Sequence, residues 1–203
     1  MIVKEQTFFK PKKPTRVLTI LESIENNPRV SQASLATKVG ISAAMANGYI
    51  KDMLGRGLIR MTGDNRRKIQ YFLTPEGRKL LSEMLRSYST EVIQLYGAAK
   101  KSIEEKLKRF LKEGISRVAL FGAAETCEVV LAAAEKLPLA VVAVVDNDKS
   151  KHNKCLGAMS ISPPEALESI EFDAVIITSF AQQDAILKDV SHLAKRGVKI
   201  KTL

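Results

Sequence analysis

Polar and flexible residues follow three apolar runs in the second half of the chain. Val118-Ala119-Leu120-Phe121 leads into Gly122-Ala123-Ala124-Glu125-Thr126-Cys127. A glycine turn between a strand and a helix can present backbone N–H groups to a phosphate, because the first N–H groups of a helix have no partner within it. The run ending at Val145 is followed by Asp146-Asn147-Asp148, and a carboxylate in that place can accept a ribose hydroxyl. Thr178 and Ser179 close a third run. Gly122, Ala123, Ala124, Glu125, Thr126, Asp146, Asn147, Asp148, Thr178 and Ser179 are therefore the candidate ligand residues. The chemistry would be binding of a nucleotide, a dinucleotide or a nucleotide-sugar, with the identity of the effector open. In the pattern Gly-x-Gly-x-x-Gly, Ala124 stands for the second glycine and Cys127 for the third. A methyl group at Ala124 hinders close approach of a pyrophosphate, and Glu125 would repel it.

Catalytic chemistry has little to draw on. Thr178, Ser179 and the Asp146/Asp148 pair give hydroxyls and carboxylates without a base to activate them. Cys127 and Cys155 are the only cysteines, too few for a four-thiolate metal site. His152 and His192 share no metal-ligand spacing with them. Tyr96 and Lys100 have a Tyr-x-x-x-Lys spacing, but they precede the glycine turn. The reading is of a protein that is not an enzyme. The alternative is a small nucleotide-dependent oxidoreductase or epimerase with a nucleic-acid-binding module.

A second set of residues is suited to binding a polyanion. The chain carries a formal net charge of +10. Residues 1–114 hold 22 Lys and Arg against 11 Asp and Glu, whereas residues 115–203 hold 10 against 11. The whole positive excess thus lies in the first half, which points to nucleic acid as its partner. Within it, Ser42 starts a helix whose buried stripe is Ala46, Ile50 and Met53, at steps of four and three. The opposite face carries Ser42, Ala43, Ala44, Asn47, Gly48 and Lys51. Asn47 can pair with an adenine edge through its amide. Ser42 and Lys51 suit phosphates. Arg66, Arg67 and Lys68 form a cationic hairpin tip, and Lys12 and Lys13 lie in a basic, proline-broken arm at 1–14.

These residues require particular elements. Helices are expected at about 15–26, from the cap Ser31 to Val39, and from Ser42 to about Leu54, with Gly40 breaking the chain between the last two. Strands at Leu58–Met61 and Ile69–Leu73 flank the hairpin, and Thr74-Pro75 opens another helix. Leu35-Ala36-Thr37-Lys38-Val39-Gly40-Ile41-Ser42, Gly57-Leu58-Ile59 and Leu73-Thr74-Pro75-Glu76-Gly77-Arg78, in this order, resemble winged helix-turn-helix regulators of the MarR and ArsR type. The resemblance implies that the third helix enters the major groove of double-stranded DNA while the wing touches its flank. Domain bounds are then 15–77 for this module and 78–114 for a helical connector. Leu81, Leu85, Tyr88, Val92, Leu95, Ala99, Ile103, Leu107 and Phe110 stripe the connector, which reads as one or two helices loosened at Gly97. The stripe suits packing within the chain or a dimer seam, and a homodimer is expected because such regulators read two half-sites.

Residues 115–203 alternate apolar strands (117–121, 140–145, 158–162, 172–178 and 198–201) with helices, the last running from Gln182 to Arg196. The expected fold is thus a two-domain α/β chain, an N-terminal winged helix with a C-terminal small Rossmann-like parallel sheet of order 3-2-1-4-5. Leu120 to Glu125, Ala143 to His152 and Leu156 to Ile161 are similar to the nucleotide-sugar-binding N-terminal domain of bacterial sugar O-acyltransferases. No left-handed β-helix of the kind that carries acyl transfer in those enzymes is expected within these 203 residues, so acyl transfer is not the expected chemistry. The plan of winged helix before Rossmann-like domain resembles the NADH-sensing Rex repressors. These resemblances imply a transcriptional regulator whose second domain senses a nucleotide or nucleotide-sugar, or serves assembly. There is no run of eighteen or more apolar residues and no apolar leader, so a cytoplasmic protein without a membrane partner is expected.

Overall fold

The structure is a computed structural model that describes residues 11–63 and 68–203. The chain divides between Val92 and Ile93 into two compact units.

In the first unit, α1 (Lys13–Asn26) begins two residues earlier than the sequence suggested. Pro14 sits in its first turn, where a missing N–H costs no hydrogen bond. Helix α2 (Gln32–Val39) is capped by Ser31, whose Oγ accepts the Ser34 N–H at 3.0 Å. Gly40 ends it in the left-handed region at φ 65°, which a β-carbon would disfavour. Helix α3 (Ala43–Gly55) starts with a matching cap, Ser42 Oγ accepting the Met45 N–H at 3.2 Å. Strands β1 (Ile59–Thr62) and β2 (Gln70–Leu73) pair antiparallel, with Ile59 opposite Leu73 and Thr62 opposite Gln70. Ile20, Leu21, Ile24, Leu35, Ile50, Met53, Ile59, Tyr71 and Leu73 form the core of this winged helix.

Helix α4 runs without a break from Pro75 to Lys112, and Gly97 does not interrupt it. Thr74 holds its start: its Oγ1 accepts the Gly77 N–H at 3.0 Å and donates to Gly57 O at 2.7 Å. Near that end Leu81 joins the core of the first unit, and near the other end Leu107 and Phe110 join a core of the second.

The second unit is a six-stranded sheet of order β5-β6-β4-β3-β7-β8. Its strands are β3 (Arg117–Phe121), β4 (Ala140–Val145), β5 (Cys155–Leu156), β6 (Met159–Ser162), β7 (Ala174–Ile177) and β8 (Lys199–Thr202). Neighbours pair parallel except in the β5–β6 hairpin. Strand β5, two residues long, has no counterpart in the sequence reading. Helix α5 (Glu125–Ala134) follows β3. The single helix expected from Gln182 to Arg196 is instead α6 (Gln183–Val190) followed by a tighter 3₁₀ stretch, Ser191–Arg196. Successive strand residues serve opposite faces: Val118, Leu120, Val144 and Ile176 belong to one apolar layer, Ala119, Phe121, Val145 and Ile177 to the other. Burial on both faces explains why these strands read as continuous apolar runs.

Candidate functional site

On α3, Ala46, Ile50 and Met53 are buried, and Ser42, Ala43, Ala44, Gly48 and Lys51 are exposed. The buried stripe turns this helix so that its small-residue face meets solvent. The Ser42 oxygen is engaged as the cap of α3, so what it keeps for a phosphate is its hydroxyl proton. Asn47 is half-buried and lines one side of a cleft of about 660 Å³ with Arg29, Val30, Ser31, Gln32, Ile69 and Tyr71. An adjoining cleft of about 550 Å³ is lined by Arg29, Thr62, Gly63, Lys68, Ile69 and Gln70. Arg29 therefore lies on both, between α3 and the wing.

Gln32 is oriented from below, its Nε2 donating to the Tyr71 hydroxyl at 3.1 Å. Arg29 and Gln32 escaped the sequence reading because Arg29 sits on the turn before α2 and Gln32 is the first residue of that helix, both outside any periodic pattern. The one hint was a cation beside Pro28, just ahead of the Ser31 cap. Lys12 and Lys13 are exposed, and Lys13 lines a groove of about 360 Å³ with Met45, Gly48, Tyr49 and Asp52. Lys68 is exposed at the wing. Arg66 and Arg67 lie outside the described residues.

The ten candidate ligand residues of the second unit do gather at the C-terminal ends of β3, β4 and β7, but they are bonded largely to one another. Gly122 adopts φ 109°, and a β-carbon there would come within 2.9 Å of Ser179 Cβ. Its glycine character thus serves close packing of two strand ends. The Ala123 N–H, expected to be open to a phosphate, donates to Asp146 Oδ2 at 2.7 Å. The same oxygen receives Lys151 Nζ at 2.9 Å, and Oδ1 receives the Asp148 N–H at 2.8 Å. Asp146, expected to hold a ribose hydroxyl, already holds three donors.

Burial raises the Asp146 pKa, but the bonds from Lys151, Asp148 and Ala123 outweigh it and bring the group below its ordinary value. Thr178 is fully buried, and its hydroxyl proton is shared between Phe121 O at 2.9 Å and Gly122 O at 2.7 Å. The Ala124 N–H turns back to Gly122 O at 3.1 Å. Asn147 Nδ2 donates to Asp189 Oδ2 at 3.1 Å, and Asp148 Oδ1 caps the short turn at Lys149–Lys151 by accepting the Ser150 N–H. Glu125 is exposed in the first turn of α5 with Glu128, where carboxylates stabilise the helix and oppose an incoming anion. Thr126 and Ser179 are half-buried. Lys151 was not among the expected residues; its signal was a lysine five positions beyond Asp146 on a turn.

Cys127 is buried under the same turn, and burial pushes its thiol up to about 12 although Thr178 acts in the other direction. Cys155 is exposed, and neither cysteine is in a disulfide. Among the described residues, no group of three or more His, Cys, Asp or Glu is placed to hold a metal ion. No helix among them is long and apolar enough to cross a membrane.

Residues 16–60 match a family model described as winged helix-turn-helix DNA-binding, and residues 114–200 match one described as C2185-like, N-terminal. No curated protein matches the chain. Among solved structures, it is similar to the Zn(II)-bound MarR family transcriptional regulator AdcR, at 19% identity over 55% of this chain and 78% of that one, TM-score 0.39. It is also similar to Streptococcus pneumoniae FabT in complex with DNA, at 16% identity over 48% and 75%, TM-score 0.36. A third likeness is to UDP-D-quinovosamine 4-dehydrogenase from Vibrio fischeri, at 20% identity over 44% and 78%, TM-score 0.38.

Proposed function

We propose that this chain is a cytoplasmic, DNA-binding transcriptional regulator that acts as a homodimer. The observation that carries the reading is the exposed small-residue face of α3 on a winged helix whose half of the chain holds all the excess positive charge. A helix this lightly clothed can approach base edges closely. Ala43, Ala44 and Gly48 admit the major groove, Asn47 reads an adenine edge, and Lys51 and the Ser42 hydroxyl meet phosphates. Arg29, Lys68 and its sequence neighbours Arg66 and Arg67 hold the flanking backbone, with Lys12 and Lys13 at the start of α1. Most of the affinity is then electrostatic. Filter binding to mixed-sequence DNA at stepped salt tests this: affinity should fall steeply with salt, and no salt-dependent binding would overturn the reading.

The second unit, of Rossmann-like build, is proposed either to sense a nucleotide or nucleotide-sugar or to serve assembly. The closed turn favours assembly. A phosphate entering at Ala123 must first displace the Asp146 carboxylate from an N–H it already holds. An effector that does so would move the turn and Lys151 together, which is a route to regulation. Thermal melting against nucleotides, dinucleotides and nucleotide-sugars separates the two, since an effector raises the melting temperature and an assembly module is unmoved. An enzymatic role is disfavoured by Thr178, whose only hydroxyl proton is committed to backbone carbonyls.

A further inference from the structure

Between Arg86 and Lys100, α4 carries one charge, Glu91, in a chain where charged residues make up 27%. Yet residues 86–99 are exposed on every side of the helix. Tyr88, Val92, Ile93, Leu95 and Tyr96 are 44–69% exposed, and among the described residues only Met45, Met61 and Phe180 are other large apolar side chains so exposed. The stretch is also poor in helix-favouring residues, with Ser87, Ser89, Thr90, Val92, Ile93 and Gly97. A segment of this composition, without tertiary cover, is marginal as a helix in water. Its charge depletion and two tyrosines are those of an interface.

We infer that this stretch is the seam of the homodimer and that two copies pair along it antiparallel. The inference deepens the homodimer proposed above and rests on it. Tyr88, Val92, Leu95 and Ala99 follow one another at steps of four, three and four, so they form one stripe. Reversing a second copy against the stripe sets Tyr88 on Ala99 of the partner subunit and Val92 on Leu95 of the partner subunit. On the flanks, Tyr96 crosses Ser89 of the partner subunit, and Glu91 crosses Ala98 of the partner subunit. Each layer then joins a larger side chain to a smaller one, and no like charges meet. A parallel pair would stack tyrosine on tyrosine at one end and leave alanine on alanine at the other, crowded and hollow respectively. The occupant is a second copy because the seam complements itself in size, and because its near-neutrality spares two chains of net charge +10 their mutual repulsion there. The half-exposed side chains supply roughly 400 Å² per copy, about half of a standard interface, so the association is a weak, reversible one.

The test has two arms, both without DNA. Sedimentation across concentrations on the order of 1–100 µM should show a monomer–dimer equilibrium, and Leu95→Glu should weaken it at least about tenfold while each unit still melts cooperatively. In a Cys155→Ser background, oxidation of Tyr88→Cys mixed with Ala99→Cys should yield the mixed dimer. Either variant alone should not crosslink, since its own two cysteines would lie about 16 Å apart along the axis. Efficient crosslinking of Ala99→Cys with itself would overturn the antiparallel register while leaving a DNA-binding dimer in place. A monomer at every concentration would overturn the seam and the homodimer together. Loss of salt-dependent DNA affinity is a separate result that bears on the DNA reading and not on the seam.

Discussion

The Ala123 N–H donates to Asp146 Oδ2 at 2.7 Å, so the second amide of the glycine turn is capped by the carboxylate at the end of the neighbouring strand. Both groups belong to a place where α/β sheets receive ligands, at the carboxyl ends of their strands. Here they satisfy one another, with Lys151 and the Asp148 N–H completing the carboxylate. The consequence is structural first: the turn is tied to the end of β4 by a buried, charge-assisted bond.

That tie gives the second unit an acid limit. The Asp146 pKa is lowered on folding, so its contribution is fully present above the ordinary aspartate value of about 4 and is lost as pH falls through the lowered one. Asp173, which accepts the Ser116 and Arg117 N–H groups at 2.7 and 2.8 Å, is lowered as well and acts in the same sense. Asp146→Asn should cost about 2 kcal/mol at neutral pH and flatten the decline in acid. Denaturant titrations from neutral pH down to about pH 3 measure both, and an unchanged acid slope would refute the assignment.

Two glycines of α4 should respond in opposite directions to the same substitution. Helix propensity alone favours alanine over glycine by about 1 kcal/mol. At Gly97 nothing lies within 4 Å of an added β-carbon, so Gly97→Ala should stabilise by up to about that amount. At Gly77 the β-carbon would fall on Leu58 O, the same oxygen that accepts the Thr74 N–H at 3.0 Å. The start of α4 is thus pressed against the chain entering β1, and Gly77→Ala should destabilise by about 2 kcal/mol despite its propensity gain. Urea midpoints of the two variants against the parent decide it.

The elements that could be read from the sequence are those with local chemical signatures. Ser31 and Ser42 cap their helices as their hydroxyls suggested, Gly40 ends α2 at positive φ, and Thr74-Pro75 starts α4. Pro14 misled because proline excludes helix only where a backbone N–H is needed, and in the first turn it is not. The two-residue strand β5 is too short to carry a period. At the glycine turn, residue types suggested the location but not the state of the groups. Nothing in the sequence said that Asp146 would spend its oxygens on Ala123, Asp148 and Lys151 rather than on a ligand. Arg29 likewise enters its clefts only because the wing and α3 fold to either side of it.

The two thiols should differ sharply in reactivity. Cys127 is buried with its thiol pushed up to about 12, and Cys155 is exposed. A thiolate is the reactive form, so at about pH 8 a disulfide reagent should label Cys155 alone in the native protein and both after unfolding. Cys155→Ser should abolish the native signal. Rapid native labelling of two thiols would mean that the turn over Cys127 opens readily.

The DNA reading separates contacts that hold from contacts that discriminate. Arg29 lines the clefts beside the wing and Lys51 is exposed on α3, and both are proposed to meet phosphates. Arg29→Ala and Lys51→Ala should therefore weaken binding about equally for all sequences, and each should reduce the slope of log affinity against log salt by about 1. Asn47, at the edge of the Arg29 cleft, carries the amide able to pair with an adenine. Asn47→Ala should leave the salt slope unchanged and cost about 1–3 kcal/mol at its preferred site, with far less loss on unrelated DNA. Competition binding against a selected site and a random duplex, repeated at several salt concentrations, resolves the two behaviours. If Asn47→Ala weakened both duplexes alike, α3 would be gripping DNA without reading it. Specificity would then have to come from the shape of the duplex.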